Sequence, residues 1–314
     1  MRMATDKSVE SYWLCPLYSF DCDSESVDLT EGIQIKHAPD ELRKYIAERT
    51  HHLYGRWADP SKFDWAAFLP YHAKVIEGAT IEERFLIGFK EHDRIGDLLF
   101  DLITALRLVH KGRIVPGPLM SGSINNSEWS IGGTTIWTLV SKGDFLLEKP
   151  EYILHQSDVS QVNELVSNLS NLRELGKLDS LSIALGRFHS AYHGPIEDRI
   201  IDQMIAFESL YIGDDKELGY KLRLRTAFLL GKQRAKIFKD MKKAYDFRGQ
   251  IVHGNIPPSR DELRGIVPKI EEYLRQSIIR FLSLLSKGML LKEIREKLLD
   301  ENILKNGKIL ALRD

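Results

Sequence analysis

Two rhythms divide the chain. Up to about residue 155, short apolar or alternating runs recur with the period of strands: Tyr12 to Phe20, Val27 to Lys36, Phe85 to Phe89, and Trp129-Ser130-Ile131 with Thr134 to Val140. Gly132-Gly133 between the last two runs predicts a hairpin turn, because tight hairpins need backbone angles that glycine takes without strain. The polar stretch from Ser121 to Ser127 predicts a loop. Two helical patterns interrupt the strands. Asp40 to Tyr54 opens after Pro39, and Asp97 to His110 sets Leu98, Phe100, Leu102, Ile103, Leu106 and Val109 largely on one side. An α+β domain over residues 1–155 is the expectation.

Beyond that point the strand signals stop and a period of 3.6 takes over. Helices are predicted over Val159 to Leu172, Leu178 to Tyr192, Ile196 to Tyr211, Leu218 to Leu230, Arg234 to Phe247, Asp261 to Leu285 and Leu291 to Leu299. Gly194-Pro195, Gly213-Asp214-Asp215, Gly231 and Pro257-Pro258 supply the breaks. Short connections between amphipathic helices predict an antiparallel all-α bundle over residues 156–314, joined to the first domain near Lys149-Pro150 to Ser157.

At 314 residues, with 43% hydrophobic and 28% charged residues, the chain has enough apolar surface for two separate cores. Its two cysteines, Cys15 and Cys22, support neither a disulfide framework nor a four-ligand zinc site, and no metal or cofactor is expected. The polar start lacks the pattern of a signal peptide, and no run approaches eighteen apolar residues, so a cytoplasmic protein without membrane contact is expected. The net charge of −1 argues against a general nucleic-acid coat, but its distribution is uneven. Residues 191–314 carry about +6, and Lys221 to Gln250 holds about ten Lys and Arg against two Asp. Such a run attracts a phosphate backbone; Lys242, Lys243, Arg234 and Lys236 are the cations expected to touch RNA. No Walker loop, GxGxxG fingerprint or Gly-x-Ser-x-Gly elbow occurs, which leaves ATP hydrolysis, dinucleotide chemistry and hydrolase-fold catalysis without support.

The basic run leads into Tyr245-Asp246-Phe247-Arg248-Gly249-Gln250-Ile251-Val252-His253-Gly254-Asn255. A guanidinium grips a phosphate with two parallel donors and keeps its charge, and an imidazole takes or returns a proton near neutral pH. Metal-free RNA cleavage requires both. The spacing alone is weak, since Arg187 to His193 is a second match. On an ideal helix five residues turn through about 500°, which would set His253 roughly 140° round from Arg248. Gly249, Gly254 and Asn255-Ile256-Pro257-Pro258 therefore predict a helix-to-loop edge where both side chains reach one pocket.

Four ordered pieces carry a resemblance: Arg187 to His193, Glu197-Asp198-Arg199 to Ala206-Phe207-Glu208-Ser209-Leu210, Tyr220 to Gly231, and Tyr245 to Gly254. Together they resemble the Apea-like branch of the HEPN superfamily over about residues 187–254. The resemblance implies a helical bundle, a homodimer through the helical domain, and RNA cleavage without metal across the dimer interface. By motif position Arg248 would bind phosphate and His253 would act as acid and base, with Tyr245, Gly249 and Gly254 in supporting places. It further implies a role in defence, 2′,3′-cyclic phosphate products, and an N-terminal domain that meets a trigger or regulatory partner. Active members often carry a polar residue after the arginine, whereas this chain has Gly249. That feature favours the alternative of a non-catalytic RNA- or nucleotide-binding dimerisation module.

Three further features bear on the site. His189 and His193 have metal-ligand spacing but no local third ligand, which favours packing histidines. Glu208 lies in an apolar segment and needs a cation, either Arg223 or Arg225 in an inter-helix ion pair, or else it orients His253 or Arg248. His51-His52 with Tyr54, Arg56 and Trp57 reads as packing in an acidic half rather than as a base-stacking platform.

Overall fold

The computed structural model describes residues 10–49, 63–71, 80–125, 128–135, 151–192, 194–213, 217–231, 233–254 and 256–301. They belong to two units, Met1–Ser141 with Leu147–Ser167, and Lys142–Leu146 with Asn168–Asp314. The first unit is built on an antiparallel sheet. Its strands are β1 (Glu10–Tyr18), β3 (Ser26–Asp28), β4 (Gln34–His37), β5 (Trp65–Pro70), β6 (Val115–Pro116), β7 (Leu119–Asn125) and β8 (Glu128–Thr135), in the order β3-β4-β5-β1-β7-β8 with β6 also on β1. Strands β1 and β5 are central, and β5 is buried on both faces from Trp65 to Leu69, which explains its unbroken apolar run. A small parallel pair, β2 (Phe20–Cys22) with β9 (Tyr152–Leu154), is held by stacking of Phe20 on Tyr152 and by the Tyr152 hydroxyl donating 2.8 Å to the Leu106 carbonyl. Helix α1 (Asp40–Arg49) and the long α2 (Ile81–Val109) complete the unit, and α2 lies against β5.

Three sequence expectations fail in this unit. The run Phe85 to Phe89 is helical, inside α2, because a short apolar run has no periodicity of its own to separate strand from helix. Gly132-Gly133 lies within β8 and makes no turn. The register runs from Leu119 opposite Thr135 to Asn125 opposite Glu128, so both glycines lie inside the β7–β8 ladder. Ser121 to Asn125, expected as loop, forms most of β7, with a bulge between Met120 and Gly122; its serines follow the alternation of a half-exposed strand. Residues 50–54, 136–140 and the His51-His52 group lie outside the described residues.

Helix α3 (Val159–Glu174) begins in the first unit, which runs to Ser167, and its later residues belong to the second. The second unit is helical: α4 (Ser182–Ser190), α5 (Ile196–Tyr211), α6 (Leu218–Leu230), α7 (Arg234–Val252) and α8 (Arg260–Ser286), followed by a short helical stretch from Leu291 to Glu301. The chain is thus a small antiparallel sheet region followed by a mostly helical one. Helix α5 is the hub, in contact with α4, α6, α7 and α8. Its stripe Ile200, Met204, Phe207, Leu210 and Tyr211 is fully buried, and Tyr211 meets Phe281 of α8 edge to face. A reciprocal capping box starts α8: Ser259 Oγ accepts from the Glu262 amide, and the Glu262 carboxylate accepts from the Ser259 amide.

Two phenols tie α8 to its neighbours. The buried Tyr211 hydroxyl shares a 2.7 Å hydrogen bond with Ser277 Oγ, and Tyr273 donates 3.0 Å to Asp240 Oδ2 of α7. Burial first, and then the Asp240 carboxylate, push Tyr273 up to about 12, and burial pushes Tyr211 up as well. The folded state therefore holds protons that an unfolded chain releases near the ordinary phenol value of 10.0. Stability from these groups is complete below that value and is lost as pH rises through about 12. Urea midpoints measured from pH 8 to 11 are expected to stay flat and then fall above about 10, less steeply in Y273F.

Candidate functional site

Helix α7 positions the Arg/His motif. Its buried side, Ile237, Met241, Ala244 and Phe247, faces the bundle, leaving Lys239, Lys242, Asp246 and His253 exposed. Tyr245 is placed by α6: a Cβ on Gly219 would come 2.9 Å from the Tyr245 ring, so only glycine allows the two helices to approach there. Tyr245 thus packs between helices.

Arg248 and His253 do not share a bend. The helix continues without interruption through Gly249 to Val252, beyond the expected end at Phe247, and the His253 amide donates 3.0 Å to the Gly249 carbonyl. Gly254, at φ +70°, is the left-handed residue that ends the helix after His253. With helical geometry kept, the two side chains leave α7 about 140° apart. Gly249 fails as a breaker because a single glycine costs a helix only about 1 kcal/mol, which the packed buried side of α7 offsets. A Cβ at Gly249 would meet nothing within 4 Å. G249A is therefore expected to stabilise the helical unit by about 0.5–1 kcal/mol, whereas G254A forces a Cβ into the left-handed region and should destabilise it by about 1 kcal/mol. Urea denaturation of both variants checks the opposite signs.

Arg248 turns toward α5. Its guanidinium lies 4.0 Å from the Glu208 carboxylate, with both side chains about three-quarters buried. Arg248 Nε and Glu208 Oε1 are each buried without a hydrogen-bond partner among the described residues. At this separation the charges attract but the guanidinium donors are not engaged, which leaves them directional capacity for another anion. Neither arginine expected to neutralise Glu208 does so. Arg225 is buried and grips Asp300 with two bonds of 2.9 and 2.6 Å, and it also donates to the Tyr211 carbonyl. Arg223 lies over the rings of Tyr220 and Phe238, at 5.2 and 4.7 Å. Asp300, forty-six residues beyond the end of the resemblance at Gly254, was missed; no local pattern marks it.

The four expected RNA-contacting cations divide. Lys242 and Lys236 are exposed. Lys243 lies 3.9 Å from Glu262 and over the Phe247 ring, and Arg234 stacks 4.2 Å from the Phe228 ring centroid. Lys242 and His253 are eleven residues apart, about 20° round the helix, and so share one exposed stripe with Gly249. His189 is buried and makes an edge contact with Phe188, in keeping with a packing histidine, and Arg187 pairs with Asp202 at 2.8 Å. His193 lies outside the described residues. Among the described residues no cluster of His, Cys, Asp or Glu could hold a metal ion, and no helix is long and apolar enough to cross a membrane. Burial pushes the Cys15 thiol up to about 12, so it is not a nucleophile. Set against protein-family models, curated proteins and solved structures, the chain matches none.

Proposed function

We propose that the chain is a metal-independent RNA endonuclease of HEPN type, acting through Arg248 and His253. The observation that supports this most is the state of the Arg248 guanidinium: largely buried, charge-balanced by Glu208 at a distance too long for a hydrogen bond, and with Nε lacking a partner among the described residues. A phosphate can take the open donors as a fork. His253, exposed at the helix end, takes the proton from the ribose 2′-OH; the 2′-oxygen attacks phosphorus, and the 5′-oxygen leaves with a proton. The products are a 2′,3′-cyclic phosphate and a 5′-hydroxyl. Arg248 stabilises the charge that develops on the non-bridging oxygens.

The divergence of the two side chains on an unbroken helix supports a composite site, in which two copies of the chain set their α7 ends side by side. Each site then takes Arg248 from one copy and His253 from the other, and a second histidine is at hand for the second proton transfer. The open surface at Gly249, between Lys242 and His253, supports close approach of a second copy there. Mixing tests this reading. R248A and H253A are each expected to be inactive on RNA, and an equimolar mixture of the two should recover measurable activity, at most about a quarter of the parent rate, because half of randomly formed dimers hold one intact Arg248–His253 pair and that pair lacks the second histidine. Loss of activity in each variant with no recovery on mixing would leave the pair acting within one chain. The second reading, a non-catalytic RNA-binding dimerisation module, draws on Gly249 and on the exposed Lys236 and Lys242; RNA retained but uncut by the parent would favour it.

A further inference from the structure

The antiparallel sheet of the first unit carries a cavity of about 410 Å³, a volume in the range of small-molecule sites. Strand register builds it. Ser11 stands opposite Ser123 of β7, Ser123 stands opposite Ser130 of β8, and on the other side the Tyr71 amide donates 3.3 Å to the Ser11 carbonyl. Tyr71, Ser11, Ser123 and Ser130 therefore make one row across four strands, and Trp13 opposite Ser121 makes the next row on the same face. Serines in the row leave space that larger side chains would fill, and Tyr71 and Trp13 give the space an aromatic wall. Between Met120 opposite Thr134 and Gly122 opposite Ile131, two residues of β8, Gly132 and Gly133, face the single Ser121. The glycine pair is thus a bulge that bends β8 beside the cavity.

The lining is uncharged and rich in hydroxyls. Among the described residues no carboxylate, ammonium or guanidinium lines it. Lys36 lies over the rings of Tyr12 and Phe68 on the opposite face, because Tyr12 alternates with its neighbours Ser11 and Trp13. A charged ligand would leave water there without a counter-charge. The hydroxyls of Ser11, Ser123 and Ser130 have no hydrogen-bond partner among the described residues, and each can both donate and accept. The Trp13 indole Nε1 is buried without a partner among the described residues, so no bond is broken when the ring turns to give it an acceptor. His92 of α2 meets Trp13 edge to face, with ring centroids 6.1 Å apart; beyond it Ser11, Tyr71 and Ser130 are exposed and leave an entrance. A ring with an apolar C–H face and hydroxyls round its edge matches these walls. We propose that this cavity binds a neutral saccharide unit, with its C–H face on Tyr71 and its hydroxyls on Ser11, Ser123 and Ser130. The site lies within the first unit and does not rest on the ribonuclease reading.

The test is titration of the full chain, followed by saturation-transfer NMR and calorimetry, with glucose, galactose, mannose, N-acetylglucosamine, maltose and cellobiose, and with glucose 6-phosphate as a charged counterpart. At least one neutral sugar is expected to bind with Kd below about 5 mM. S123L, which fills the middle of the serine row, should weaken that binding by about tenfold or more and Y71A by about three- to fivefold, while R248A and H253A leave it unchanged. No sugar binding at that concentration, binding indifferent to S123L, or glucose 6-phosphate displacing the bound sugar more effectively than glucose does would overturn the proposal. Should S123L fail to fold, S130F takes its place, because Ser130 is exposed; it is expected to block the row, and unchanged binding in it would overturn the proposal.

Discussion

Arg199→Met is expected to lower the stability of the helical unit by about 3–5 kcal/mol. Arg199 on α5 and Glu271 on α8 are only 5% and 6% exposed in their side chains, with Nη2 3.3 Å from Oε2. Each charge has lost its water, and attraction between the two is what offsets that loss. Removing the guanidinium takes the Arg199 charge away from a buried carboxylate; removing both in R199M/E271L replaces the pair with apolar volume and should recover most of the loss. Urea denaturation followed by circular dichroism measures both variants. A loss under about 1 kcal/mol in R199M would show that the pair contributes little. Because α5 also carries Glu208, two and a half turns along, this bond sets the helix register on which the Arg248 contact depends.

Arg248→Lys is expected to slow RNA cleavage by about 10²–10³-fold while changing stability by less than about 1 kcal/mol. The charge is kept, but an ammonium cannot present two parallel donors to one phosphate. The stability effect is small because the pair with Glu208 is long, at 4.0 Å, and no other bond ties the guanidinium among the described residues. Glu208→Gln keeps the shape and removes the facing charge; its expected cost is milder, about tenfold, seen as weaker positioning of Arg248. Single-turnover cleavage rates beside denaturation midpoints separate the two effects. A parent-like rate in R248K would contradict a bidentate role for the arginine.

The helical half was largely legible because its signals are local and repeated. Ile196–Tyr211 and Leu218–Leu230 match the predicted bounds, with a buried stripe at helical spacing, Pro195 opening the first and Gly231 closing the second. The sheet was less legible where pairing over long sequence distance decides the outcome. Trp65–Pro70 lies between β1 and β4 and is buried on both faces, so it shows no alternation to read, and Phe85 to Phe89 was too short to reveal a helix of which it is one part. At the site, sequence singled out Arg248, His253 and Glu208, but not that α7 would run straight through Gly249. The helix end is set by Gly254 and by packing of α7 on α5 and α8, which no five-residue window records. The partner of Arg225 was likewise decided by folding, because Asp300 is distant from it in sequence, whereas Glu208 faces Arg248, one of the groups its sequence context left open.

Incubation of purified protein with total cellular RNA in EDTA, followed by analysis of fragment ends, tests the central claim most directly. Cleavage by the parent, leaving 2′,3′-cyclic phosphate and 5′-hydroxyl ends and lost in both R248A and H253A, is expected. Cleavage that persists in either variant, or fragments with 3′-hydroxyl ends, would contradict it.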